Sequence, residues 1–73
     1  MKTMFIVDYW LPFPASEYGG VDIVIADDKS EAIELLAKAE KECYRERIAK
    51  SVLEARKFKV EAERSEIVFT FHT

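Results

Sequence analysis

The chain has 73 residues, 49% of them apolar and 34% charged, with a net charge of −3 at pH 7. That length supports a single domain (1–73) with a thin core, and the balance is that of a globular chain, which excludes a disordered or low-complexity segment. The negative total argues against a general affinity for DNA or acidic membranes, and the one cysteine, Cys43, excludes an internal disulfide.

The first apolar run, Met4-Phe5-Ile6-Val7, is too short for a signal sequence or a membrane span. With no cysteine framework either, the expectation is a cytoplasmic protein with no membrane partner. Met4 to Trp10 reads as a strand, with Phe5, Val7 and Tyr9 on one face and Ile6, Asp8 and Trp10 on the other. The first face is the core candidate, because Asp8 is costly to bury unpaired. Tyr9 to Gly20 then gathers both prolines, both glycines and the only tryptophan. Each proline removes a backbone donor and extends its predecessor, so a stiff connection is expected, and Gly19-Gly20 permits a positive-φ turn.

Val21 to Ala26 alternates again, placing Val21, Ile23 and Ile25 opposite Asp22, Val24 and Ala26, and pairs with the first strand as a hairpin. Asp28 followed by Glu31 marks a helix start, with the carboxylates suited to the positive helix end. From Lys29 to about Arg56 no glycine or proline intervenes, and the spacing predicts one long helix. Its apolar stripe is Ile33, Leu36, Ala37, Tyr44, Ile48, Val52 and Ala55, widened by Leu35, Ala39, Cys43 and Leu53. Glu40 interrupts the stripe, and a kink or two shorter helices between Ala39 and Cys43 is the alternative. A continuous helix would run roughly 40 Å and overhang strands of about 20–23 Å.

Lys57 to Glu63 switches to period two, with Phe58, Val60 and Ala62 alternating with charges, and Ile67 to His72 repeats the pattern. A turn at Glu63-Arg64-Ser65-Glu66 pairs Ala62 with Ile67, Val60 with Phe69 and Phe58 with Phe71, which gathers the apolar residues on one face. The competing reading extends the helix through Glu63. The expected fold class is α+β, a two-layer ββαββ arrangement: a four-stranded, mainly antiparallel sheet in the order 2-1-3-4 with one long helix packed on one face.

Chemistry-bearing residues are few. His72 and Cys43 stand alone and cannot supply the three or four ligands of a zinc site. A nucleophile would need those two together with a third, orienting group. Asp27-Asp28 is accounted for by the helix start, and Gly19-Gly20 lacks the lysine and helix of a phosphate loop. No catalytic residue, cofactor or metal is expected.

Two surfaces remain. Trp10, Phe13 and Tyr18, held by prolines, suit docking on a partner protein at low entropic cost, or else fold back as a lid on the core. Between Lys41 and Lys59 seven basic residues face three acids, and Lys41, Arg45, Arg47 and Lys50 are the candidates for contact with single-stranded nucleic acid. A solvated helix face laced with charge pairs explains the same residues, and the negative total favours it. The expectation is therefore a non-enzymatic protein-binding module, regulatory or inhibitory, that self-associates as a dimer. Tyr44, Ile48 and Val52 would join its core or its dimer seam. The alternative is a nucleic-acid-binding module.

Overall fold

The computed structural model describes residues 1–11, 19–40 and 42–72. Strands β1 (Lys2–Asp8) and β2 (Gly20–Ala26) are followed by helices α1 (Lys29–Ala39) and α2 (Arg45–Glu54), then by β3 (Arg56–Val60) and β4 (Glu66–His72). The strands form one antiparallel sheet in the order β3-β1-β2-β4, and both helices lie on one face of it. The α+β class, the antiparallel sheet and the first hairpin follow the sequence reading. Asp28 caps α1 as expected: its Oδ1 accepts from the Glu31 N–H at 2.9 Å, while Glu31 Oε1 accepts from the Asp27 N–H at 2.8 Å.

The single long helix is corrected to two, and ββαββ becomes ββααββ. The break falls at Glu40, the residue that interrupts the apolar stripe. Its N–H still reaches Leu36 O at 2.9 Å, but its backbone (φ −91°, ψ −110°) leaves the helix. A short 3-10 turn, Glu42–Tyr44, then starts α2 in a new direction. Breaking there keeps the carboxylate out of the core and lets α1 lie on β2 and β4 while α2 lies on β1. Leu36, Ala37, Ile48, Val52 and Ala55 of the expected stripe are buried, whereas Tyr44 is exposed. Among the described residues the helices, of 11 and 10 residues, are no longer than the seven-residue strands β1 and β2, so no overhang calls for a second copy.

The second correction concerns the last two strands. β3 and β4 do not form a hairpin: they occupy opposite edges, β3 against β1 and β4 against β2. Residues 61–65 cross the end of the sheet between them, and the Ser65 hydroxyl donates to Glu31 Oε1 at the start of α1. A β-bulge explains why simple alternation misleads here. Ile23 and Val24 are adjacent in β2, yet they oppose Phe69 and Ile67 in β4, so Val68 is the extra residue. The bulge turns Ile67 inward against the core and leaves Phe69 and Phe71 on the opposite face.

The helix-side core is Phe5, Val7, Tyr9, Val24, Ala26, Ala32, Leu36, Ala37, Ile48, Val52 and Ala55. The predicted inner face of the first strand is thus the buried one. Four of these residues are alanines, so the interior is thin for its area. Neither glycine uses the positive φ open to it. Gly19 is required by close approach instead: a Cβ there would overlap the indole Nε1 of Trp10.

Candidate functional site

Strands β1, β2 and β4 carry apolar residues on both faces and β3 carries Phe58 and Val60 on one, and the helices cover only one face of the sheet. The register fixes what the other face shows. Phe58 of β3 lies beside Met4 of β1, and Met4 beside Ile25 of β2. In the next row Ile6, Ile23 and Phe69 run side by side, and beyond them Val21 abuts Phe71. Phe58, Phe69 and Phe71 are each about half exposed (47%, 51% and 50%) and the aliphatic residues between them partly so. Large apolar side chains therefore sit on the uncovered face as well as on the covered one, where Phe5, Tyr9, Leu36 and Ile48 are buried among four alanines. Charges on this face lie at its margins: Arg56 on β3, Glu66 on β4, and Lys2 and Asp8 at the ends of β1.

Trp10 extends the face. It lies in the turn after β1, where its N–H donates to Asp8 Oδ1 at 2.9 Å and its indole packs on Gly19. Its ring centroid is 6.5 Å from that of Phe71, tilted by 46°. Trp10 is half-buried, which joins it to the rim of the open sheet. Phe13 and Tyr18, the other two predicted docking residues, lie outside the described residues. Phe58, Phe69 and Phe71 were assigned to a core by sequence reasoning. The signal that places them outside was present: Ile6 on the first strand, and Val21, Ile23 and Ile25 on the second, also need cover on the face opposite the helices.

The basic candidates do not gather into one groove. The Arg45 guanidinium is forked onto Glu34 of α1, at 2.6 and 3.3 Å, and holds that carboxyl below its usual range. Arg47 is half-buried on α2 with its charge felt at Tyr9, and Lys50 is exposed. Lys41 lies outside the described residues. A cleft of about 470 Å³ opens where the helices leave β3 uncovered, lined by Thr3, Phe5, Asp27, Asp28, Lys57 and Lys59 among others. Its lysines are spread among separate partners. Lys57 Nζ donates to Leu53 O and Ala55 O (3.2 and 3.0 Å), and Lys59 Nζ to Thr3 Oγ1 at 3.3 Å. Among the described residues no three His, Cys, Asp or Glu side chains converge as metal ligands, and no helix is long and apolar enough to cross a membrane.

Among the described residues Asp22 is the buried carboxylate, fully enclosed on the helix side of β2. Its Oδ2 accepts from the Tyr9 hydroxyl at 2.7 Å and its Oδ1 from the Thr70 hydroxyl at 2.8 Å. The arrangement ties β1, β2 and β4 in one register. Burial pushes the Tyr9 hydroxyl well above its ordinary range. The hydrogen bond to Asp22 and the charges of Asp22 and Glu40 add to the shift, and Arg47 opposes it. The folded chain thus keeps this proton at a pH where the unfolded chain, with tyrosine near ~10, gives it up. This contribution to stability is whole below about pH 10 and is lost as the pH climbs further. Urea midpoints measured from pH 8 to 11.5 are expected to fall more steeply for the natural chain than for Tyr9→Phe, which starts about 1.5–3 kcal/mol lower. Parallel slopes would show that Tyr9 does not hold its proton.

The chain matches no protein-family model, no curated protein and no solved structure.

Proposed function

We propose that this chain is a non-enzymatic, self-associating protein-binding module of regulatory or inhibitory type, and that it docks through the open face of its sheet with Trp10 at the rim. The observation that carries the reading is the row of half-exposed Phe58, Phe69 and Phe71 around partly exposed Met4, Ile6, Ile23 and Ile25. Single exposed apolar residues are ordinary, but a contiguous patch bounded by charges marks an interaction surface. Rigid strands hold the rings, so little conformational freedom is lost on docking.

A concentration series in the analytical ultracentrifuge tests this. A species heavier than one chain is expected at micromolar concentration, returned to a single chain by Phe69→Asp, with far-ultraviolet circular dichroism unchanged. A single-chain mass for the natural sequence up to millimolar concentration would end the self-association reading. The alternative, a nucleic-acid module using Lys41, Arg45, Arg47 and Lys50, predicts binding of a single-stranded oligonucleotide that weakens steeply with salt. Docking through phenylalanines changes little over the same salt range.

A further inference from the structure

Resting on that docking reading, we infer that the occupant of the open face is a second copy of this chain, laid sheet on sheet about a two-fold axis running along the strands. Area comes first. The three half-exposed phenylalanines leave roughly 300 Å² of accessible surface, since such rings bury about 150–250 Å² each. The partly exposed residues between them add roughly 200 Å², so two copies would bury on the order of 1,000 Å², about what a biological interface must clear.

Composition points the same way. The covered core is rich in alanine and the open face in phenylalanine and isoleucine, the distribution of a core cut in half. Stacked sheets sit about 10 Å apart with strands nearly aligned, and these side chains fill such a gap.

With Lys2 held by Asp27 at 2.7 Å and Asp8 by the Trp10 N–H at 2.9 Å, the charges of the two edge strands choose the orientation. Arg56 stands on one edge strand and Glu66 on the other, about one row apart along the strand direction. A two-fold along the strands brings the β3 edge of each copy over the β4 edge of its mate. Each Arg56 then meets Phe69 and Glu66 of the other copy, and this happens twice per dimer. A two-fold across the strands would instead set Arg56 near Arg56 and Glu66 near Glu66. Arg56 has no ion-pair partner among the described residues, and Glu66 is paired only with the largely exposed Arg64, at 2.6 Å.

Charge reversal tests the arrangement in sedimentation experiments at fixed ionic strength. Arg56→Glu alone and Glu66→Arg alone are each expected to weaken the dimer about tenfold, from two like-charge contacts per dimer. An equimolar mixture of the two variants should regain the natural affinity, because every cross-contact is again of opposite sign. Unchanged affinity in both single variants overturns this geometry. If Phe69→Asp still abolishes the dimer in that case, the face binds a second copy in another orientation, and the docking reading stands. A dimer that survives Phe69→Asp overturns both.

Discussion

A chain carrying Leu36→Ala is expected to lose about 3–4 kcal/mol of stability, most of what a domain of this size has. Leu36 is the largest side chain with no exposure at all, and it lies where α1 meets the sheet. Its neighbours in the core include Ala32 and Ala37 on its own helix and Ala26 on β2. Alanines have no rotamers with which to fill a cavity, so the void should persist instead of collapsing. At roughly 4–8 °C per kcal/mol for a domain this small, the thermal midpoint should drop by about 15–25 °C. The measurement is a denaturation curve at one fixed chain concentration, because any self-association adds to the apparent stability. A loss under 1 kcal/mol would show that the two-helix layer is not seated on the sheet as described.

The second large effect is expected at Asp22. Asp22→Val raises the strand propensity and keeps roughly the volume but removes the acceptor of the buried Tyr9 hydroxyl and of Thr70. An unsatisfied buried hydroxyl costs about 1–3 kcal/mol, and the loss of a charge-assisted hydrogen bond adds to it, so about 3 kcal/mol is expected. The combination Asp22→Val with Tyr9→Phe leaves no orphaned phenol and should recover at least about 1 kcal/mol of that loss. A double variant as unstable as the sum of the two singles would mean that the two groups do not act as a unit. The cluster also bears on the proposed docking face. Asp22 and Thr70 hold β4 against β2, and β4 supplies Phe69 and Phe71 to the other side. Weakening it should loosen self-association as well as the fold.

The same cluster shows why the position of the fourth strand was not legible in the chain. Period-two alternation reports which residues share a face of one strand, and it did so correctly for β1, whose Phe5, Val7 and Tyr9 are buried. It carries no information on which neighbour a strand selects. The apolar matching of Phe58 with Phe71 and of Val60 with Phe69 was sound arithmetic for a hairpin that does not form. What it could not weigh was Asp22, a buried carboxylate on β2 that Thr70 satisfies only if β4 lies beside it. Nor does alternation reveal the bulge at Val68, which separates Ile67 from Phe69 across the sheet.

Local chemistry determined the rest. Asp28 and Glu31 specify where the first helix begins, because the free N–H groups of its first turn need acceptors close in sequence. Glu40 marks where it stops, since a carboxylate in an apolar stripe has no favourable place against a core. Trp10, a docking candidate from its setting, lies with its ring centroid 6.5 Å from that of Phe71. The tertiary structure alone decided that β3 and β4 flank the first hairpin. Two helices cannot cover both sides of four strands, so the sheet keeps one face bare, and strand order puts three phenylalanines there. Side-chain period is a property of each segment, whereas the choice of neighbour depends on groups far apart in the chain that must satisfy one another once water is excluded.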